Sequence, residues 1–243
     1  MLKIEDLTYL AAGEGEEKII IDHLSLTLED NTYTVITGPN GGGKTTLSKL
    51  IMGIEKPSSG RILWNGKDIT ALDVTSRARL GISYGFQQPP RFKGLTVYDL
   101  LKIASGRELT RNECCDYLTQ VGLCARDYVD RDMDDSLSGG EAKRIEIATI
   151  LARKGSLMIF DEPEAGIDLW SFSRLTETFG AISRRRNSTL IVISHQERLI
   201  SQADEIVVID GGRVSAKGPA GEIYPHLMGG SVRGCGKLEV QDA

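Results

Sequence analysis

The chain has 243 residues, 40% of them apolar and 26% charged, enough for one large domain or two small ones around a sizeable core. Its formal net charge of -5 provides no basic field, so nucleic acid is not expected as the main partner. No apolar run approaches the roughly 20 residues that cross a bilayer, so direct membrane insertion is not expected and any membrane role must come through a partner.

Residues 2–9 and 19–28 alternate apolar and polar and predict two strands of a half-exposed sheet, joined by a Gly- and Glu-rich turn over 11–18. The opening MLKIEDLTYL reads as the first of these strands rather than as a secretory leader, so a cytoplasmic chain is expected. Tyr33 to Thr37 predicts a short strand running into Gly38, and Thr45 to Met52 carries helical periodicity. Arg61 to Trp64 followed by Asn65-Gly66 predicts a hairpin edge. From about Leu95 to Asp135 the pattern is helical. Leu157–Phe160, Leu190–Ile193 and Ile206–Ile209 are short, β-branched and without alternation. That is the pattern of central strands in a parallel sheet covered by helices, and it sets the class as α/β. The residues from Pro225 onward are Gly-rich and read as a loosely ordered tail over 225–243.

The four cysteines, Cys114, Cys115, Cys124 and Cys235, match neither a zinc module nor a disulfide framework and are expected to be reduced thiols. Cys235, in a Gly-Cys-Gly near the end of the chain, is the one to watch for reactivity.

Gly38-Pro39-Asn40-Gly41-Gly42-Gly43-Lys44-Thr45 fits the phosphate-loop pattern at every position, between a predicted strand and a predicted helix. Glycines without Cβ atoms let successive backbone N–H groups turn inward around a β-phosphate, and the helix N-terminus adds its partial positive charge. Gly38, Asn40, Gly41, Gly42, Gly43, Lys44, Thr45 and Thr46 are the expected contacts to ATP. Lys44 would reach the β- and γ-oxygens, and the Thr45 hydroxyl would bind Mg²⁺.

Leu157-Met158-Ile159-Phe160-Asp161-Glu162 is an apolar strand ending in two carboxylates, 117 residues after Lys44. At the C-terminal edge of such a sheet, Asp161 would hold Mg²⁺, and Glu162 would accept the proton of the attacking water. Ser138-Gly139-Gly140-Glu141 opens a further charged helix. Ser138 with Glu141 forms a capping box, and the glycine N–H groups are open to a second anion.

With these motifs in this order, the chain resembles the ABC ATPases over about residues 1–220. Their fold has a mostly parallel core, an antiparallel β subdomain and a helical subdomain. Here the ATPase domain spans 1–224, with the helical subdomain inserted at about 88–136. The resemblance implies that Ser138, Gly139 and Gly140 contact ATP held by a second ATPase subunit in a head-to-tail dimer. It implies that Gln87, rather than the neighbouring Gln88, reaches Mg²⁺ and water. Asp168 in Ala165-Gly166-Ile167-Asp168 would tie the subunits together, and His195 after the strand Leu190–Ile193 would contact the γ-phosphate. Tyr9 is the nearest aromatic upstream for stacking on adenine. Within the family, the text from Ser138 to Ile147, Ser-Gly-Gly-Glu-Ala-Lys-Arg-Ile-Glu-Ile, resembles the SUF iron–sulfur cluster assembly ATPase. That branch implies a soluble scaffold partner. The alternative is the ATP-binding subunit of a membrane transporter, partnered by a permease.

Overall fold

Alternation decides the first sheet. In the computed structural model, which describes residues 1–12 and 17–229, β1 (Leu2–Ala11) pairs antiparallel with β2 (Lys18–Leu28), Ile4 opposite Leu26. Leu2, Ile4, Leu24 and Leu26 point into the core, while Lys3 and Ser25 face out. After β3 (Tyr33–Thr37) and α1 (Lys44–Met52), β4 (Ser59–Trp64) joins β1 and turns through Asn65-Gly66 into β5 (Lys67–Asp68). Both turn residues have positive φ, 50° and 77°, as a two-residue hairpin turn demands.

The short helix α2 (Val74–Arg79) leads into β6 (Ile82–Gly85). The helical stretch then consists of α3 (Val97–Ser105), α4 (Arg111–Gln120) and α5 (Ala125–Tyr128), bracketed by a ribbon of β7 (Phe92–Thr96) and β8 (Asp132–Met133). Thr96 with Asp99 and Thr110 with Glu113 form capping boxes that start α3 and α4. The rest of the described chain runs α6 (Gly139–Arg153), β9 (Leu157–Asp161), α7 (Leu169–Arg185), β10 (Thr189–Ile193), α8 (Glu197–Ile200), β11 (Glu205–Asp210), β12 (Arg213–Pro219) and α9 (Ala220–Gly229).

The main sheet has the order β12-β11-β3-β10-β9-β6. Every neighbouring pair is parallel except β11 with the edge strand β12. Its central strands are buried at every position, and mostly apolar, because both faces are covered. Leu157 and Ile159 of β9 join a core shared with α1 and the antiparallel sheet. Met158 and Phe160 point the other way, into the core beneath α3, α4, α6 and α7. Parallel pairing has a functional consequence. It brings the C-terminal ends of β3, β10, β9 and β6 to one edge, where Gly38, His195, Asp161-Glu162 and Gln87 follow.

The sequence pattern predicts neither β6 nor α7. Ile-Ser-Tyr-Gly is too short and mixed to read as a strand, yet all four residues are buried. α9 passes through Pro225, where the tail was expected to begin. The turn over 11–18 falls partly outside the described residues, and Cys235 lies wholly outside them.

One buried charge holds α1 in place. Arg77 of α2 is 1% exposed. Its guanidinium donates to the carbonyls of Leu50 (2.6 Å), Ile51 (2.8 Å), Thr70 (2.9 Å) and Leu72 (3.0 Å). Two of these carbonyls lie in the last turn of α1, where a cation is favourable, and that of Leu50 also accepts from Gly53 N–H at 3.2 Å. Arg77→Ala removes four hydrogen bonds to backbone carbonyls and opens a cavity, for an expected loss of about 3–4 kcal/mol. The check is a urea melt, in which the midpoint falls while the slope is unchanged. Arg77→Lys should recover less than half of that loss, because one ammonium cannot serve four diverging carbonyls.

Candidate functional site

The phosphate loop is shaped by what packs behind it. Gly43 has φ 102°, and a Cβ there would lie 2.8 Å from Ile21 Cδ1 and 2.9 Å from the Ile20 carbonyl oxygen, both on β2. The antiparallel sheet therefore sets the loop's close approach. The loop is braced by the turn after β11, where Gly212 N–H donates to the Gly42 carbonyl at 3.0 Å. α1 starts on Gly43 with no side-chain cap, in contrast to α3, α4, α6 and α7. Its first N–H groups are thus left for an anion, which fits a phosphate. Lys44 Nζ folds into the loop and donates to the carbonyls of Gly38 (2.7 Å) and Pro39 (2.8 Å). Burial holds its ammonium below the usual lysine range, opposed by Glu162 and Asp161.

Asp161 is fully buried at the end of β9. One carboxylate oxygen accepts from the Thr45 hydroxyl at 3.2 Å and the other from the Tyr84 hydroxyl at 3.1 Å. Burial pushes this carboxyl up, against the two hydrogen bonds that favour its charged form. Among the described residues no group of three His, Cys, Asp or Glu side chains could cage a metal. A single carboxylate beside a hydroxyl fits Mg²⁺, which takes hard oxygen donors and leaves its other positions to phosphate and water.

Glu162 sits at φ 45°, a left-handed conformation that costs a non-glycine residue roughly 1–2 kcal/mol. Its N–H is tied to the Ile193 carbonyl at 3.0 Å, so the surrounding structure enforces the bend. The side chain then turns away from the strand, and Gln87 Nε2 donates to Glu162 Oε2 at 2.8 Å. His195 follows β10, with Nδ1 3.5 Å from the Thr37 hydroxyl. Partial burial, then the Lys44 charge, holds the imidazolium below its usual range, so the ring is neutral at pH 7.

The second cluster is built differently. Ser138 caps α6 in a reciprocal box. Ser138 Oγ accepts from Glu141 N–H at 3.3 Å, and Glu141 Oε2 accepts from Ser138 N–H at 2.7 Å. Glu141 also accepts from the Tyr128 hydroxyl, the main reason its carboxyl is held down at about 2. Asp168 caps α7 by accepting from the N–H groups of Trp170 (3.1 Å) and Ser171 (3.0 Å). None of these bonds reaches the phosphate loop. Lys44, Thr45, Gln87, Asp161, Glu162 and His195 are thus gathered on one sheet edge, while Ser138, Gly139 and Asp168 are exposed away from these bonds and Gly140 is buried beside Gly166. Tyr9, the adenine candidate, packs its ring on the core and donates its hydroxyl to Glu55 at 2.9 Å.

The two signature glycines have unlike surroundings. A Cβ on Gly140 would lie 2.3 Å from the Gly166 carbonyl oxygen, whereas one on Gly139 meets nothing within 4 Å. Gly140→Ala should displace the 165–168 loop and cost about 1–3 kcal/mol by overpacking. Gly139→Ala should leave the thermal midpoint within about 1 °C, since small exposed changes move stability little. Thermal melts of the two variants check the contrast.

Four side chains at the site have roles that emerge only from the fold. Tyr84 joins Asp161 to Ser48 (3.3 Å). Lys143 and Glu146, read in sequence as part of a charged helix, are buried against the backbone of Phe86. Glu164 accepts from the Ser194 hydroxyl at 2.5 Å, linking the 164–168 loop to the residue before His195.

Comparison with known proteins agrees with this geometry. The ABC transporter family model matches residues 21–165. An uncharacterized ABC transporter ATP-binding protein of Methanocaldococcus jannaschii is 38% identical over 240 residues, covering 94% of each chain. Among solved structures, a dimeric ATP-binding cassette bound to ADP and Pi superposes with TM-score 0.82 over 90% of this chain and 99% of its own, at 21% identity, which speaks for the fold alone. The cbiO1 protein of Clostridium perfringens, part of an ABC transporter complex, gives TM-score 0.73 at 28% identity, covering 93% and 91%. A family match over more than half of the chain, on a phosphate loop backed by the two carboxylates at and just after the end of β9, settles the matter: this chain belongs to the ABC ATPases and is an ATP-hydrolysing enzyme.

Proposed function

We propose that this chain is the ATP-binding subunit of a membrane ABC transporter and works as a head-to-tail pair around two ATP molecules. In each site the loop from Gly38 to Thr46, with Lys44, holds the phosphates. Thr45, Asp161 and Gln87 would hold Mg²⁺, which offsets phosphate charge when bound. Glu162 takes a proton from the attacking water, Gln87 orients that carboxylate and the water, and neutral His195 donates to the γ-phosphate. Ser138, Gly139 and Asp168 reach the site of the opposite subunit. ATP then favours the closed pair, and hydrolysis removes the bridge.

The observation that carries the partner reading is an apolar groove of about 310 Å³ beside the Gln87 loop. Phe86, Phe92 and Ile103 line it and are exposed. Apolar surface of this kind suits a partner helix. The transporter names of the M. jannaschii relative and of cbiO1 favour a permease as its source. The reading as a cluster-assembly ATPase keeps one observation in its favour, the Ser138–Ile147 text with Lys143 and Glu146 buried, and it places a soluble scaffold in the same groove. A pull-down with tagged Glu162→Gln and Mg-ATP from detergent-solubilised native lysate, read by mass spectrometry, tests the choice. A polytopic membrane protein as main partner supports the transporter; a soluble iron–sulfur scaffold overturns it.

A further inference from the structure

The backbone of Phe86, the residue before Gln87, is held on both sides of its Cα by one ion pair from α6. Glu146 Oε1 accepts from Phe86 N–H at 2.9 Å, and Lys143 Nζ donates to the Phe86 carbonyl. Lys143 Nζ also donates to the Asp161 carbonyl at 3.3 Å and lies 3.4 Å from Glu146 Oε2. Lys143 is 1% and Glu146 7% exposed, whereas the Phe86 residue they hold is 40% exposed. The backbone, more than the Phe86 side chain, is therefore what anchors this loop.

Stability does not account for the arrangement. A buried ion pair gains little over apolar residues of the same volume, because desolvation offsets the attraction. Burial pulls the Lys143 ammonium down and the Glu146 carboxyl up, and each charge opposes the other's shift. What the pair does provide is a rigid connection. It joins α6, which starts at Ser138-Gly139-Gly140, to the Gln87 loop and to the last peptide of β9 before Glu162.

We propose that Lys143 and Glu146 are positioning residues that move Gln87 with α6, so that displacement of the Ser138 end resets the Gln87–Glu162 hydrogen bond. The inference rests on Gln87 and Glu162 acting in hydrolysis. Neither Lys143 nor Glu146 touches the reacting atoms in this arrangement; they act through the backbone of Phe86. The N–H belongs to the Gly85–Phe86 peptide and the carbonyl to the Phe86–Gln87 peptide, so each peptide flanking Phe86 is held and neither can flip without breaking a charge-assisted bond.

The test is steady-state ATP hydrolysis by the whole chain, with ATP affinity measured separately. Lys143→Met/Glu146→Leu keeps the volume apolar and should retain the fold, bind ATP within about twofold and lower kcat at least tenfold with KM little changed. In a Gln87→Ala background, itself slowed, the same pair of changes should lower kcat by less than twofold further. Glu146→Gln, which still accepts from Phe86 N–H, should keep kcat within about threefold and holds the test open if the double variant does not fold. The proposal is overturned if the double variant turns over normally, if its effect multiplies fully with Gln87→Ala, or if Glu146→Gln loses as much as the double variant. Wild-type turnover in Gln87→Ala alone would remove the assigned role of Gln87, and with it this route of coupling. A slowed Gln87→Ala beside a normal double variant would remove the clamp only.

Discussion

Glu162→Gln is expected to lower kcat by about 10²–10⁴-fold, the usual contribution of a positioned general base, while ATP affinity changes by less than about threefold. The substitution keeps the volume and can keep the hydrogen bond from Gln87 Nε2, now at 2.8 Å to Glu162 Oε2. It also keeps the φ 45° backbone as strained as before, so the site should remain assembled. What is lost is a carboxylate able to accept a proton. The phosphate contacts lie on the loop from Gly38 to Thr46 and on α1, elements the substitution does not touch. A loss of this size corresponds to roughly 3–5 kcal/mol at about 1.4 kcal/mol per decade. Phosphate release at saturating Mg-ATP, together with size-exclusion chromatography, reads both parts of the expectation. Turnover collapses, and an ATP-dependent dimer persists because the bridging phosphate is not removed. Turnover within tenfold of the parent chain would show that another group accepts the proton.

How much of this site was legible before the fold was known depended on whether a residue's role is local. Lys44, Thr45, Asp161 and Glu162 announce themselves because each lies in a strand-to-loop context whose pattern is contiguous in sequence. The family resemblance pointed to Gln87, and the fold gives the physical reason: β6 lies next to β9 in parallel register, Gly85 opposite Phe160, so the loop after one strand meets the loop after the other. β6 itself was illegible, since a four-residue strand with a serine and a glycine has no periodicity to detect. Lys143 and Glu146 were legible as charges and as part of the Ser138–Ile147 text, but not as a buried pair. A helix position three residues from an opposite charge usually signals a solvated pair. Here the pair is buried, because α6 is covered around most of its circumference by the sheet, α3 and α4. Gly139 and Gly140 look equivalent in sequence, and only the closeness of Gly166 to one of them separates packing from open surface. The iron–sulfur assembly reading drew on this same stretch, and the named relatives lean instead toward transport.

Ser138→Arg should leave ATP binding to the monomer within about twofold and abolish the ATP-dependent dimer. Ser138 and Gly139 are exposed at the start of α6, and the hydrogen bonds of Ser138 stay within its own cap. Its own phosphate loop should therefore not register the change. Loss of the cap costs about 1 kcal/mol, less than the domain needs to unfold, and Glu141 remains tied to Tyr128. The larger effect is steric and electrostatic. A long guanidinium would occupy the space that Gly139 leaves open, so the opposite subunit's phosphate could no longer approach the N-terminus of α6. The reporter is built in. Of the two tryptophans, Trp64 is buried and Trp170, two residues after Asp168, is 85% exposed, so closure of the pair should change Trp170 emission in Glu162→Gln with Mg-ATP. The same titration in Ser138→Arg/Glu162→Gln should show binding without that change and without the dimer peak. A dimer that forms regardless would mean that Ser138 does not face the second ATP, and the head-to-tail arrangement would have to be abandoned.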